Sequence, residues 1–487
     1  MTLVNRVLDR EPVADLAAYV AAGGGKGLEA ARAVPAAAVI DTLDAAGLRG
    51  RGGAGFPTGR KWRTVAENRS STDATTVVVN AAEGEPGSFK DRAILRANPY
   101  RVLEGACIAA AVVGADRVVV ALKASADQEA ARVESAIAEV VAAGWADHAS
   151  VEVLRGPSEY LFGEETALLE VLDGRLPFPR IAPPFRQGAE DDDQSEPGPP
   201  PDADADLAGT GTGGQAPALV NNVETLANVP GIVLHGADWF RSIGTAESPG
   251  SVVCTVSGVT RHDGVVEVAM GTSLRDVVDA AGEGVGEAGV SVVLAGVSNP
   301  LLPASALDAA VSYEGMEALG AGLGTAGFIV FGRDADPVAI AHGVARFLAV
   351  ESCGQCQPCK ADGLTLATTL DRIRRSEIGD HLPTVQRALS TVADGARCSL
   401  AGQQQLVIGS LLGAFPEPFE RHCRGEVEAA EPVLVAPILD LPGDSFLVDE
   451  AHATKQPDWS FDEVDSGAYP AQRFDQSSGE VPADGAG

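Results

Sequence analysis

The sequence predicts a multidomain α/β protein: a glycine-rich α/β domain, a small β-grasp-like unit, and a C-terminal helical bundle carrying a cysteine cluster. Three observations lead there. Short β-branched runs alternate with helical stretches between residues 77 and 143. Two strand-like segments and a helix follow one another over 251–281. Residues 351–360, ESCGQCQPCK, put three cysteines in a C-x2-C-x2-C spacing inside a helix-rich stretch. The length of 487 residues suits two to four domains at about 100–200 residues each.

Residues 1–48 are Ala-rich and read as a helical lead-in to a domain over 49–245. Residues 77–79 are a β-branched run ending at Asn80, as a strand feeding a loop does. Residues 101–114 have helical composition and 118–122 read as a strand. Residues 126–143 form an amphipathic helix, with Ser125 and Gln128 spaced as a capping box. This alternation indicates an α/β domain. Inside it, 189–214 is low-complexity, acidic and rich in Pro and Gly; it cannot bury a core and reads as a disordered surface insertion.

Over 246–335, SVVCTVSGV and GVVEVAM are two strands joined by a turn at 260–264, with a helix at 273–281, which fits a β-grasp-like unit. Residues 336–425 are mostly helical and hold the cysteine cluster, in a loop before a helix expected to start near Gly363. From 426 to 487 the chain is rich in Pro, Asp and Gly and reads as an acidic, largely disordered tail.

The net charge of −32 argues against nucleic acid, whose phosphates this surface would repel. The N-terminus lacks the basic and apolar regions of a signal peptide. No apolar stretch is long enough to span a membrane; the best, 108–122, is interrupted by Asp116 and Arg117. A cytoplasmic protein is expected, where clustered cysteines point to metal or redox chemistry rather than structural disulfides.

Cys353, Cys356 and Cys359 can converge on one centre, and a fourth ligand must come from Cys107, Cys254, Cys398 or Cys423. Cys398 follows a helical stretch, so a returning helix pair could bring it back. Cys107 and Cys254 sit in apolar contexts and read as inert buried thiols; Cys423 reads as a free helical thiol. Thiolate-only ligation with this spacing suits a [4Fe–4S] cluster. Zinc is the alternative, but it favours two C-x2-C knuckles and the second is absent.

Residues 47–62, GLRGRGGAGFPTGRKW, place six glycines between Gly47 and Gly59. Without Cβ atoms such a backbone can approach a phosphate or a flat ring. Lys61 adds one cation. Asn80, Glu83 and Glu85 share the loop of VVVNAAEGEPGSFKD, and Glu164 and Glu165 open a helix in YLFGEETALL. A fourth segment is VNNVETL, residues 220–226. Each carboxylate pair also reads as a solvated helix start. No histidine accompanies them, and no nucleophile triad stands out.

Taken in order, GRGGAGFPTG with its following KW, GEETALL, NNVETLANV and ESCGQCQPC resemble the NADH-binding flavoprotein (F-type) subunit of respiratory complex I. That family includes diaphorase subunits of NAD-dependent hydrogenases and formate dehydrogenases. The resemblance runs from about residue 44 to 425. It implies that FMN and NADH share one pocket in the 49–245 domain. Gly50, Arg51, Gly52, Gly53, Ala54, Gly55 and Phe56 would lie against them, Phe56 stacking on the nucleotide. Lys61 would face phosphate or the reduced flavin's charge. Asn80, Glu83, Glu85, Tyr160, Gly163, Glu164, Glu165, Asn221 and Asn222 would line the pocket, and Phe185 would flank the nucleotide. Cys353, Cys356, Cys359 and Cys398 would hold the [4Fe–4S] cluster. The 246–335 unit would be the family's SLBB-like β-grasp domain.

The reaction so implied is NADH dehydrogenation: hydride passes to FMN, then single electrons pass to the cluster and on to a partner. That partner would be a 2Fe–2S or ferredoxin-like subunit, or complex I-type, hydrogenase or formate dehydrogenase subunits. The acidic pocket favours NADH over NADPH, because carboxylates repel a 2′-phosphate. The chain departs from the family's usual N-A-D-E-[SG]-E-P-G at Ala82, where aspartate belongs. One lost flavin anchor would cost about 0.5–1.5 kcal/mol. Two other readings stay open: a stand-alone diaphorase reducing ferredoxin or another soluble carrier, and a flavin-free iron–sulfur interaction protein.

Overall fold

A computed structural model describes residues 4–69, 74–180 and 217–474. The lead-in forms helices α1 (Leu16–Ala21), α2 (Lys26–Arg32) and α3 (Ala36–Ala46), followed by α4 (Thr58–Glu67). The chain then alternates through β1 (Thr76–Ala81), α5 (Lys90–Ala97), α6 (Pro99–Val113), β2 (Arg117–Lys123), α7 (Asp127–Ala142), β3 (Ser150–Gly156), α8 (Glu165–Leu172), β4 (Ala218–Asn222), α9 (Val223–His235) and α10 (Ala237–Arg241).

The four strands form an all-parallel sheet in the order β3-β2-β1-β4. Val78 sits opposite Val119 on one side and Val220 on the other. Val77, Val78, Val79 and the run from Val118 to Leu122 are buried, as in a parallel sheet covered on both faces. The carboxyl ends of these strands are where an open sheet of this kind leaves a crevice. Asn80 and Asn222 lie at those ends, and Tyr160 follows β3.

One local expectation fails. α7 has Ala126 as its N-cap and no side-chain cap bond. Ala126 N–H instead donates to the Lys123 carbonyl, a turn that already sets the direction of the helix, so the capping box at Ser125 and Gln128 does not form.

A second unit contains β5 (Ser251–Gly258), β6 (Gly264–Ala269), α11 (Leu274–Gly282), β7 (Val290–Leu294), β8 (Leu302–Pro303), α12 (Tyr313–Glu317) and β9 (Gly327–Gly332). Its five-stranded mixed sheet runs β6-β5-β9-β7-β8, with β5 and β9 parallel. Leu274, Val277 and Val278 bury one face of α11, whose N-cap Ser273 accepts from Asp276 N–H. Next come helices α13 (Pro337–Glu351), α14 (Gln357–Arg374), α15 (Leu382–Thr391), α16 (Leu400–Ala414) and α17 (Pro416–Cys423). α14 begins at Gln357 rather than near Gly363. Pro358 occupies its first turn, where a missing N–H leaves no bond unmade.

The expected disordered tail is corrected for residues 426–474. This stretch forms a strap with β10 (Ile438–Asp440), β11 (Leu447–Val448) and α18 (Pro470–Arg473). A few anchors hold it, which average composition hides. Trp459 is buried and donates through Nε1 to the Val350 carbonyl. Buried Lys455 meets Glu351 at 2.8 Å. Arg96 pairs with Asp440 at 2.6 Å, and Phe446 packs on Phe89. Ala471 N–H donates to the Cys353 carbonyl. The acidic insertion at 189–214, Phe185 and residues 475–487 lie outside the described residues. Among the described residues no helix is long and apolar enough to cross a membrane.

Candidate active site

The glycine loop leaves α3 through Gly47 and folds back on itself. Gly50 N–H donates to the Phe56 carbonyl at 2.8 Å, and Thr58 N–H to that of Leu48 at 2.9 Å. At the tip, Gly53 has φ of 126°, and an added Cβ would meet nothing within 4 Å. Its backbone therefore stands bare to the space in front of it, the cradle a flat ring or a phosphate needs. Gly55, at φ 66°, has no such room: a Cβ there would lie 2.6 Å from the Tyr313 ring.

That space is a cavity of about 870 Å³. Its walls include Gly50, Gly52, Gly53, Ala54, Gly55, Phe56 and Lys61 from the loop. Asn80, Glu85, Tyr160, Gly163, Glu164, Glu165, Asn221 and Asn222 also line it. Glu83 opens instead onto an adjoining cavity of about 200 Å³, where Ala82 leaves the neighbouring wall apolar.

Arg51 does not face the cavity. Its guanidinium is buried beneath the loop, donating to Ser251 O at 3.0 Å and to the Tyr313 hydroxyl at 3.1 Å. It is a strut between two units. Lys61 is also spoken for, with Nζ 2.7–2.8 Å from both oxygens of Glu165. Asn221 accepts from the Trp62 indole at 2.7 Å, and Asn222 bridges Lys90 and Asp91.

The carboxylates divide by task. Glu83 accepts from Ser88 Oγ and from the backbone N–H groups of Asp91 and Arg92, so it caps α5. Burial, then the nearby Asp91, pushes its carboxyl up to about 7. Glu85 accepts from the Tyr160 hydroxyl at 2.6 Å and Val297 N–H at 2.7 Å, while burial still raises it. Burial and the Glu85 charge hold Tyr160 protonated. Glu164 caps α8 through Ala167 N–H. Three polar groups that the sequence did not single out, Thr325, Ser399 and Gln403, line both cavities.

Cys353, Cys356, Cys359 and Cys398 line one small cavity together. Cys353 follows α13, Cys356 is the N-cap of α14, Cys359 lies in its first turn, and Cys398 is brought back by α15 just before α16. Donors reach the sulfurs, among them Arg397 N–H to Cys356 at 3.3 Å, Gln355 Nε2 to Cys353 at 3.4 Å, and Gln404 Nε2 to Cys359 at 3.6 Å. Such bonds stabilise thiolates and tune the metal they bind.

Burial pushes the thiols of Cys359 and Cys398 up to about 12. A bound cation centre would favour the thiolate forms against this burial. Among the described residues no three ligating side chains close on a single ion. Four sulfurs around a cavity, rather than meeting at a point, match a polynuclear centre better than zinc at about 2.3 Å from each sulfur. Cys107 and Cys254 are buried far from this set in sequence; burial raises both thiols, Cys107 to about 12. Cys423 ends α17 as a free thiol.

Cys398 also lines the 870 Å³ cavity, so the thiol site and the glycine-loop site share a wall.

Comparison with known proteins gives the same pairing. Residues 43–231 match the Nuo51 FMN-binding domain, and residues 339–422 match the iron–sulfur binding region of NADH-ubiquinone oxidoreductase-F. The chain is 34% identical over 422 residues to the F 2 subunit of NADH-quinone oxidoreductase from Rhizobium meliloti (strain 1021), covering 84% of this chain and 94% of that protein. It is 33% identical over 426 residues to the HndC subunit of the NADP-reducing hydrogenase from Solidesulfovibrio fructosivorans, covering 85% and 81%. Among solved structures it is similar to an NAD+-reducing [NiFe]-hydrogenase in the H2-reduced state. There the TM-score is 0.72 at 31% identity, over 87% of this chain and 68% of that one.

Proposed function

The chain belongs to the family of F-type subunits of NADH-quinone oxidoreductase and related hydrogenase diaphorase subunits, and from that premise we propose how its own residues carry out the family's reaction. It is an NADH-oxidising flavo-iron–sulfur oxidoreductase. Bound FMN and a [4Fe–4S] cluster would supply acceptance of a hydride from NADH and release of its electrons one at a time.

The residues fit both groups. The bare backbone at Gly53 and the surrounding glycines would hold the flavin, with Asn80 and Asn222 at the strand ends and Gly163 in the turn before α8. Phe56 would stack against the nucleotide. Glu85 and Glu164 line the cavity, which disfavours a 2′-phosphate, while Glu165 is offset by Lys61. Lys61 would hold Glu165 in place rather than meet phosphate directly. Cys353, Cys356, Cys359 and Cys398 would bind the cluster, oriented by the donors from Gln355, Arg397 and Gln404. No side chain is needed to move a proton in hydride transfer, consistent with a cavity wall that contains no histidine.

The domain reading follows: 49–245 for flavin and nucleotide, 246–335 as an SLBB-like β-grasp domain, and 336–425 for the cluster. Two strands, a helix and a mixed sheet support the second, and the four cysteines support the third. The electrons would leave to another subunit, of 2Fe–2S or ferredoxin-like type, at the cytoplasmic face. A flavin-free scaffold would be expected to fill the space before Gly53; that space is open.

One observation carries the reading: Cys398 belongs to the walls of both sites, so electrons entering one have a short path to the other. Anaerobic purification followed by visible spectroscopy tests it. Flavin bands and an iron–sulfur shoulder, both bleached by NADH, are expected. A colourless protein containing zinc would overturn it.

A further inference from the structure

Two buried polar atoms remain without partners in the wall between the glycine loop and Cys398. They are Oε1 of Gln403, on the first turns of α16, and Oγ1 of Thr325, just before β9. Both residues line the large cavity and the smaller one that adjoins it. Leaving a buried polar atom without a partner is unfavourable. Both oxygens belong to residues, from separate units, that line the same space, so a turn of either side chain brings its unpaired oxygen to a polar ligand there. Gln403 follows Cys398 by five positions on the same connection, so whatever it touches lies on the cluster side.

We propose that Gln403 and Thr325 are further contacts of the bound flavin, closing its site from the helical and five-stranded units. The group that hands electrons to the cluster must lie against the Cys398 wall. An oxidised flavin ring carries one N–H donor, N3–H, which a glutamine carbonyl could accept, and a threonine hydroxyl could give or take a bond with a ring carbonyl or a ribityl hydroxyl. Neither residue touches the reacting hydride in this assignment. They position the ring. The inference rests on the FMN reading above.

The test is dilution of the holoprotein with free FMN read by its fluorescence, giving the flavin dissociation constant of wild type, Q403L and T325V. Iron content is measured on the same samples. Each variant is expected to bind FMN about five- to tenfold more weakly with iron unchanged. Q405L, on the exposed side of the same helix, should match wild type. A dissociation constant within twofold of wild type in either folded variant overturns the inference. So does a rise in KM for NADH alone, or loss of iron in step with flavin. Should Q403L fail to fold, T325V decides, since it sits in another unit. Wild type that binds no FMN would instead sink the parent reading.

Discussion

Replacing Glu351 with glutamine should destabilise the protein by about 3 kcal/mol, at the low end of the roughly 3–5 kcal/mol for breaking a buried ion pair from one side. Glu351 ends α13, two residues before Cys353, and only 2% of it is exposed. One oxygen accepts from Lys455 at 2.8 Å and His452 at 3.0 Å; the other accepts from Tyr160 N–H at 2.9 Å. The glutamine can keep the Tyr160 bond, which is why the low end applies. Lys455, itself 5% exposed, would keep Glu159 at 4.0 Å as its one ion-pair partner among the described residues.

The double variant E351Q/K455M removes both charges and should recover most of the loss. Despite the opposing effect of burial, Lys455 and His452 hold the Glu351 carboxyl well below its ordinary value of 4.5. Its contribution is therefore present above that value and lost as pH falls below it, so wild type and E351Q should converge in acid. Anaerobic urea unfolding of the holoprotein, followed by far-UV circular dichroism, gives all three numbers. A single variant within about 1 kcal/mol of wild type at neutral pH, or a double variant no better than the single, refutes the reasoning.

Cys398→Ser should abolish cluster assembly while Cys423→Ser leaves it intact, read by iron content and visible absorbance; the reverse would exchange their roles. Gly53→Ala forces a Cβ into the cavity at a φ of 126° and should strip flavin from a folded protein; retained flavin would place the ligand elsewhere. Glu83 is raised to about 7, so it binds its proton more tightly folded than unfolded, and its stabilisation is lost as pH rises through that value. Glu83→Gln should therefore flatten the fall in urea midpoint between pH 5 and 7, roughly the window set by that shift; parallel midpoints for both proteins would show that Glu83 ionises freely.

The parallel sheet was legible because its strands are buried on both faces and read as unbroken Val runs, at 77–79 and 118–120. The glycine loop was legible because few other residues tolerate its tip. What escaped was partner choice among charged residues. Arg51 and Lys61 look like free cations in sequence, yet Arg51 is a buried strut and Lys61 pairs with Glu165, over a hundred positions away. Nothing local encodes such pairings. The strap escaped for a related reason: Trp459, Lys455 and Ile438 are sparse anchors whose partners lie in other units. Thr325 and Gln403 carry no motif at all, and only burial without a partner marks them.

Chain order gives the strap a second consequence. A ribosome delivers residues 353–398 well before 455–471, so the four cysteines are made before the segment that ties their loop down. Ala471 then bonds to the Cys353 carbonyl and Tyr469 settles against Gly354. The last contacts on the cysteine loop thus come from the last part of the described chain to be synthesised.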